Sequence, residues 1–162
     1  RKVVHKFISQ NIYSKGVYLL DNFLVAKHLP ANMSGYVFWK NEINSLKRVY
    51  GNPHFPQLIA ADPRNLIIYM TYCGKSLEEG AQVPDNWRQQ TQEINRFLVS
   101  KQINPNDILP RNVCVLNGVI KVIDFGLANI RHSEIVRSCN KLVRLLENWK
   151  SNRPQEARIR FR

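Results

Sequence analysis

The sequence predicts an α+β fold, in which a five-stranded antiparallel sheet with one helix precedes a mostly helical part with an embedded hairpin. Three observations indicate this order. Short β-branched runs separated by turn residues occupy most of the first 70 positions, and a single helical pattern interrupts them. From position 84 onward, two long amphipathic patterns flank a pair of short β-rich runs. The 162 residues suffice for one domain with a sizeable core.

The first part contains five predicted strands and one predicted helix. Asp21-Asn22 lies between two β-rich runs and indicates a hairpin turn. The helix is predicted over 36–50, because large apolar side chains recur there at helical spacing and a Gly-Asn-Pro stop signal follows. The predicted strands span 3–8, 17–20, 23–29, 57–61 and 66–70.

The second part contains two predicted helices around a hairpin. The first helix opens at Pro84 and ends before Asn104, and its apolar residues share one face. Asn117-Gly118 is a strong signal for a two-residue hairpin turn. From Ser151 onward the chain is polar and basic, which predicts a flexible tail. The two short strands and the last helix are predicted over 113–116, 120–123 and 134–150.

Charge and cysteine content narrow the class of protein. A net charge of +12 favours an anionic partner, such as a nucleotide, a nucleic acid, an acidic protein or an anionic membrane surface. The three cysteines show no metal-binding spacing, so neither a disulfide scaffold nor a zinc site is expected. Their pattern predicts a reducing, cytoplasmic environment. No apolar run approaches the length of a membrane span, so a membrane-spanning protein is not expected.

One segment, residues 107–126, contains most of the side chains that predict a chemical function. It begins with Asp-Ile-Leu-Pro-Arg-Asn, continues through the predicted hairpin and ends with Asp-Phe-Gly. Asp107, Asn112 and Asp124 are thereby presented from two loops that flank the hairpin. Oxygen ligands of this kind suit Mg²⁺ when phosphates and water complete its shell, and a carboxylate in such a loop orients a hydroxyl for phosphoryl transfer.

By order and spacing, this segment and the upstream residues Lys27 and Glu42 resemble the protein-kinase-like superfamily. The resemblance covers residues 3–130 and is to minimal, atypical kinases with a truncated C-lobe, such as viral, bacterial-effector or small atypical kinases. It implies a two-lobed fold within one minimal domain. The implied N-lobe, hinge, reduced C-lobe and basic tail span 1–70, 71–75, 76–150 and 151–162.

The resemblance also implies a role for each matching residue. Asp107 is the expected catalytic aspartate, and Lys27 is expected to contact the α- and β-phosphates while paired with Glu42. Asn112 and Asp124 are the expected Mg²⁺ ligands. The residues expected to surround the adenine of ATP are Val17, Ala26, Met70, Thr71, Cys73 and Cys114.

The chain departs from the family pattern in three places. The loop between the first two strands has one glycine, Gly16, where the family has up to three, although Ser9, Ser14 and Lys15 could partly replace the missing groups. The catalytic loop lacks the usual His-Arg pair before Asp107, and Leu109 stands where many kinases have a lysine. Only 36 residues follow Gly126, so the resemblance implies a reduced platform for substrates.

Three functions stay open at this point. The first is an ATP- and Mg²⁺-dependent kinase, by family frequency acting on serine or threonine of a protein, although an anionic small molecule, a lipid or an RNA hydroxyl would also serve. The second is a pseudokinase that binds a protein partner without turnover. The third is a nucleic-acid-binding domain, although no dedicated nucleic-acid motif is present. A reduced C-lobe would also expose apolar surface that a protein partner or a second copy could cover.

Overall fold

A computed structural model describes residues 5–11, 14–126, 128 and 132–159 of the chain, with side chains described for 7–8, 16–126, 128 and 134–152. The start of the first predicted strand and the last three residues lie outside these ranges. Within them the chain is an α+β protein with three α-helices and a five-stranded antiparallel sheet, as the sequence predicts.

The five-stranded sheet has the strand order β1-β2-β3-β5-β4, with every neighbouring pair antiparallel. Helix α1 spans Met33–Val49 and packs against β4 and β5. The element bounds differ from the predicted ones by three residues or fewer, which is the usual error of a sequence-based boundary. The strands are β1 His5–Asn11, β2 Ser14–Leu20, β3 Leu24–His28, β4 Leu58–Asp62 and β5 Ile67–Thr71.

Helix α1 begins three residues before its predicted start, because Asn32 caps it. The Asn32 side-chain oxygen accepts a hydrogen bond of 2.8 Å from the Gly35 N–H, which satisfies one of the free donors of the first turn. Gly35 is buried and packs directly on the Pro30 carbonyl group. The absence of a side chain at Gly35 is therefore what lets the chain enter α1 from Pro30.

Gly35→Ala should destabilise the protein by about 1–3 kcal/mol, although alanine normally favours a helix over glycine. A Cβ at this position would overlap the Pro30 carbonyl oxygen, which is backbone and has little freedom to move. Urea unfolding of the variant measures the effect. Ser34→Ala, an exposed substitution in the same turn, is the matched control and should be close to neutral. Equal stability of the two variants would contradict the packing at Gly35.

The second part of the chain builds a three-stranded sheet and two helices. Helix α2 spans Trp87–Lys101, and a short 3-10 helix over Pro110–Asn112 leads into the predicted hairpin. Asn117 and Gly118 have φ values of 51° and 76°, as the predicted two-residue turn requires. A two-residue strand that the sequence analysis missed completes the sheet. The strands are β6 Lys75–Ser76, β7 Val113–Leu116 and β8 Val119–Val122, in the order β6-β7-β8.

Helix α3 spans His132–Ile159 and is longer than predicted. The residues from Ser151 that were expected to form a flexible tail are helical as far as Ile159. Nucleating a helix is unfavourable, but the packed turns of α3 are already helical when the chain reaches Ser151. The Gln-Glu-Ala-Arg run at 155–158 consists of residues with favourable helix propensity, so the helix continues. The helix continues even though Pro154 cannot donate a hydrogen bond to the preceding turn.

One core joins the two parts. Phe55, which follows α1, is fully buried and its ring lies 5.4 Å from the Phe97 ring of α2 and 5.8 Å from the Phe125 ring. Leu46 of α1 and Ile68 of β5 belong to the same buried cluster. None of the helices in the described ranges has the length and apolar character needed to cross a membrane.

Candidate functional site

A cavity of ≈ 310 Å³ lies between the five-stranded sheet and the β6-β7-β8 sheet. Its volume is at the lower end of the range of small-molecule sites. The cavity brings together side chains from β2, β3, α1, β5, the 3-10 helix, β7 and the segment after β8. The lining residues used below are Val17, Val25, Lys27, Glu42, Met70, Thr71, Cys73, Ser76, Glu78, Glu79, Arg111, Asn112, Cys114 and Asp124.

Lys27, Glu42 and Asp124 form a buried ion-pair cluster at the base of the cavity. The Lys27 Nζ lies 2.7 Å from Glu42 Oε2 and 3.1 Å from Asp124 Oδ1. Strand β3 carries the lysine, α1 carries the glutamate, and the loop after β8 carries the aspartate. Three segments that are distant in the sequence therefore meet at one ammonium group. Only the family resemblance had predicted that they act together.

The cluster shifts the pKa of each member. Burial disfavours the Lys27 ammonium, but Glu42 and Asp124 outweigh this cost and raise its pKa above the usual range. Burial raises the pKa of Glu42, in spite of Lys27 and the Phe125 N–H, which both lower it. Burial also opposes the charged form of Asp124, but Lys27 and the Gly126 N–H together lower its pKa. The lysine is therefore firmly cationic, and Asp124 is the carboxylate held most strongly in its charged form.

Asp107 lies next to the cavity and is joined to it through Asn112. The Asn112 Nδ2 donates to the Asp107 carbonyl at 3.0 Å and to Asp107 Oδ2 at 3.1 Å. Both bonds use the amide nitrogen, and no hydrogen bond among the described residues uses the amide oxygen of Asn112, a residue that lines the cavity. Asp124 Oδ1 is bound by Lys27 and by the Gly126 N–H, whereas no hydrogen bond among the described residues uses its Oδ2.

These two oxygens are the groups that fit a magnesium ion. Within the described ranges no three His, Cys, Asp or Glu side chains are arranged to hold a metal by themselves. A hard cation here would therefore depend on Asn112, Asp124 and a phosphate-bearing ligand together, which is how Mg²⁺ is usually bound beside nucleotides. Asp124 has a φ of 69°, a left-handed conformation that Asp and Asn tolerate better than most residues.

The apolar wall of the cavity differs from the predicted one at a single residue. Val17, Met70, Cys73 and Cys114 line it, but Ala26 does not, and Val25 takes its place. The correction follows from the period of two along a strand, since Lys27 faces the cavity and Val25 shares its side of β3 while Ala26 lies on the other. Burial raises the pKa of Cys73 to about 12 and raises the pKa of Cys114 as well, so both thiols stay neutral.

The predicted hinge runs from the end of β5 into β6. The Thr71 N–H donates to the Gln57 carbonyl at 3.0 Å, and the Thr71 carbonyl accepts from the Cys73 thiol, whose sulfur lies at 3.8 Å. No backbone hydrogen bond among the described residues uses the N–H or C=O of Cys73, and both are available. Gly74 has a φ of 87° and packs on the Val115 carbonyl, which excludes a side chain there. Ser76, Glu78 and Glu79 also line the cavity, and no sequence pattern had pointed to them.

Asn41 connects α1 to the segment that follows Asp124. Its Nδ2 lies 3.3, 2.8 and 2.9 Å from the carbonyl oxygens of Phe125, Gly126 and Ala128. The helix therefore holds this segment through Asn41 as well as through the Glu42 cluster. The sequence offered no signal for Asn41, because a half-exposed asparagine in a helix is usually a surface residue.

Asn41→Asp should destabilise the protein more than Asn41→Ala, although aspartate has nearly the shape of asparagine. Alanine leaves the carbonyl oxygens without their donor, at a cost of about 1–3 kcal/mol. Aspartate adds a carboxylate oxygen facing the same carbonyl oxygens, which is repulsive at neutral pH. Urea unfolding at pH 8 ranks the variants.

The same two substitutions at Asn44, an exposed asparagine one turn along the same helix, are the matched controls. Asn44→Asp and Asn44→Ala should both be close to neutral, because they change the helix in the same way without touching the segment after Asp124. An Asn41→Asp variant as stable as the parent would contradict the role of the Asn41 amide.

Asn104 is a second site residue that sequence reasoning missed. It is fully buried, and its oxygen accepts from the Asn106 N–H at 3.0 Å and from the Ser138 hydroxyl at 2.5 Å. Its nitrogen donates to Glu134 at 3.3 Å. The loop that ends in Asp107 is thus held against α3 by a buried polar network.

Residues 12–13 and the side chains of Ser9, Ser14 and Lys15, which were considered as replacements for a glycine-rich loop, lie outside the described part of the chain. Gly16 is described, and a Cβ there would lie 2.8 Å from the Tyr18 ring.

No model of a known protein family matches the chain, and no curated protein matches it either.

Proposed function

We propose that the protein is an ATP- and Mg²⁺-dependent phosphotransferase, with the five-stranded sheet and α1 as one lobe and the remainder as the other. The observation that carries the proposal is the Lys27 ammonium, held between Glu42 and Asp124 at the wall of a cavity of ≈ 310 Å³. A buried ion-pair cluster is costly to assemble, and a phosphate-binding role explains why a chain would hold one at a cavity wall.

The charges of the cavity support a nucleotide that enters together with a cation. Among the residues whose side chains are described, four carboxylates line it, those of Glu42, Glu78, Glu79 and Asp124, against the two cations Lys27 and Arg111. A bare polyphosphate would be repelled by this balance, whereas Mg²⁺ would neutralise phosphate oxygens and hold them against Asn112 and Asp124. The apolar wall of Val17, Val25 and Met70 suits the flat face of a base.

The proposed reaction moves the γ-phosphoryl group of ATP to a hydroxyl. The bond from the γ-phosphorus to the bridging oxygen breaks and its electron pair leaves with ADP, while a bond to the acceptor oxygen forms. Asp107 orients the acceptor hydroxyl and receives its proton, which then passes to solvent. Asn112 holds Asp107 in place through two hydrogen bonds, and Lys27 contacts the phosphates that remain on ADP.

The family resemblance favours serine or threonine of a protein as acceptor, and this remains part of the proposal. Three free, buried cysteines fit the proposed reducing, intracellular setting. A protein partner or a second copy is a further proposal, and the exposed apolar side chains Val99, Val136 and Val143 on α2 and α3 are the surface that it would cover.

A thermal-shift titration with ATP, in the presence and absence of Mg²⁺, tests the nucleotide site. At a hundredfold excess over Kd, binding stabilises the folded state by about 2.7 kcal/mol, which raises the Tm of a domain of this size by roughly 5–10 °C. The shift should need Mg²⁺ and should shrink in Asp124→Asn. The control is Glu147→Gln, which should show the same Mg²⁺-dependent shift as the parent. Glu147 is exposed, lies far from the cavity residues in the sequence and pairs only weakly with Arg88.

A pseudokinase that binds a protein partner without turnover is the second candidate. The observation that favours it is Gly16 of β2, the one glycine between His5 and Leu20, which packs on the Tyr18 ring and so has a structural reason to be glycine. No shift with millimolar Mg²⁺-ATP would reject the phosphotransferase in favour of this candidate. A Mg²⁺-dependent shift accompanied by ATP turnover would reject the pseudokinase.

A further inference from the structure

Helices α2 and α3 pack side by side, and two contacts fix their alignment. The Asn95 Nδ2 of α2 donates to the Cys139 carbonyl of α3 at 3.3 Å. Nearer the start of α2, the Arg88 guanidinium lies 3.8 Å from Glu147 Oε1, so the two helices are antiparallel. Their shared solvent-facing surface, which we call the α2–α3 seam, includes Val99, Val136, Val143, Arg96, Arg137 and Arg144.

Three exposed valines lie along this seam. The exposed fraction is 47% for Val99, 57% for Val136 and 37% for Val143. Residues three, four or seven apart share a face of a helix, so Val99 lies on the face of Asn95, and Val136 and Val143 lie on the face of Glu147. Because the helices are antiparallel, Val99 lies towards the Val136 end. The valines therefore form one apolar strip on the outside of the helix pair.

Arginines border the strip on both helices. Arg96 follows Asn95 on α2, and on α3 an arginine directly follows each exposed valine, at Arg137 and Arg144. All three are exposed, and no ion pair among the described residues involves any of them. The strip thus has a basic rim whose charges are not neutralised within the described part of the chain.

We propose that the α2–α3 seam binds an acidic, amphipathic helix of a partner protein. The inference goes beyond the phosphotransferase proposal and does not depend on it, because no residue of the cavity takes part. Val136 and Val143 are seven residues apart, so the strip is about 10 Å long and matches two turns of a helix laid along it. Carboxylates beside the apolar face of that helix would meet the rim, and arginine suits them because it can form two parallel hydrogen bonds with one carboxylate.

Other occupants fit the seam less well. Two copies of the chain that met through this same surface would bring their arginine rims together, which is repulsive. The net charge of +12 on each copy adds to that repulsion. A nucleic acid would pair its phosphates with the arginines but would leave the valines uncovered. An acidic helix is the occupant that satisfies both the strip and its rim.

The probe for the test is a synthetic peptide of about 20 residues, long enough to form a helix. It carries leucine at helical spacing on one face and glutamate and glutamine elsewhere, and fluorescence anisotropy measures its binding to the protein. We expect a Kd in the micromolar range that rises about tenfold between about 50 and 300 mM NaCl, because part of the attraction is electrostatic. A peptide of the same composition in shuffled order, and one with lysine in place of glutamate, should bind at least tenfold more weakly.

Two double variants separate the strip from its rim. Arg137→Gln with Arg144→Gln should raise the Kd for the probe about tenfold and flatten its salt dependence. Val136→Thr with Val143→Thr keeps the side-chain shape, and it should also raise the Kd about tenfold because two apolar contacts are lost. The matched control is Lys141→Gln, which removes an exposed charge of α3 about 120° around the helix from the Glu147 face and should bind like the parent. All variants change exposed residues and should keep the parent Tm.

Each contrary outcome overturns the inference. No binding of the probe at about 1 mM, or equal binding of the shuffled peptide, would mean that the seam does not recognise an amphipathic acidic helix. Tighter binding of a single-stranded RNA, weakened by the arginine variant and unchanged in the valine variant, would assign the surface to nucleic acid. A dimer of the parent in sedimentation that the valine variant abolishes would assign it to a second copy. The variants should leave the Mg²⁺-ATP shift unchanged, so failure here and failure of the phosphotransferase proposal are distinguishable.

Discussion

Replacing Asp124 by asparagine should reduce ATP turnover about a thousandfold or more while the protein stays folded. On the proposed function, this carboxylate supplies a charged oxygen ligand to Mg²⁺, and such electrostatic stabilisation is worth several kcal/mol in the transition state. Its Oδ1 is bound by Lys27 and Gly126, so the predicted metal ligand is the opposite oxygen. Asparagine keeps the shape of the side chain and loses its charge.

The choice of asparagine follows from the backbone. Asp124 has a φ of 69°, where alanine would add strain of about 1 kcal/mol and blur the comparison. Asparagine tolerates this conformation nearly as well as aspartate. Lys27 keeps its 2.7 Å contact to Glu42 in the variant, so the buried ammonium is not left without a partner.

The measurement pairs ATP turnover with urea unfolding of the same preparations. Asp85→Asn is a matched control, because it removes an exposed carboxylate that pairs with Lys150 outside the cluster. Full turnover by Asp124→Asn would show that Asp124 takes no part in the reaction. The proposed phosphotransferase activity would then lose its main support. Unchanged turnover combined with a lost Mg²⁺-ATP shift is not expected, because both depend on the same oxygen.

Local sequence signals predicted the parts of the fold that local physics decides. Asn117-Gly118 predicted its turn because only such residues adopt positive φ cheaply, and the structure has both residues at positive φ. The helical spacing around Leu46 predicted α1 because one face of that helix must be buried. The order of motifs from Lys27 to Asp124 singled out Lys27, Glu42, Asn112 and Asp124, which line the cavity, and Asp107, which lies beside it and is bonded to Asn112.

The features that sequence reasoning missed depend on contacts between residues far apart in the sequence, which a short stretch of sequence does not reveal. Strand β6 is two residues long and forms only because β7 lies beside it. Asn41 and Asn104 were missed because their partners are backbone groups and side chains far along the chain. Ala26 was chosen instead of Val25 because a motif match gives the strand but not which of two neighbouring side chains faces the cavity.

Removing the cation of the buried cluster has the largest expected effect on stability. Lys27→Met should lower the free energy of unfolding by about 3–5 kcal/mol at pH 8, because it leaves Glu42 buried without its partner. Glu42 is 1% exposed and also faces the Asp124 carboxylate, so water cannot replace the ammonium. Urea unfolding of the variant at pH 8 measures the loss.

A second substitution keeps this prediction testable if the single variant folds poorly. Glu42→Gln in the Lys27→Met background removes the stranded charge, and the double variant should be more stable than Lys27→Met alone. Glu42→Gln by itself should cost less than Lys27→Met, because Lys27 then keeps Asp124 at 3.1 Å. A double-mutant cycle over these variants isolates the coupling between the two side chains. Additive losses would contradict the ion pair.

The pH dependence gives the cluster an independent signature. In the parent, the pKa of Lys27 is raised, so its contribution is complete below the ordinary value of 10.5 and is lost as pH rises through the folded value. In Lys27→Met the group that governs stability is Glu42, whose pKa is already raised by burial and rises further without the lysine. A raised carboxyl pKa favours the folded state when the group is protonated. The variant should therefore regain stability between pH 8 and pH 5.5, and a variant equally unstable at both values would show that Glu42 is not the stranded charge.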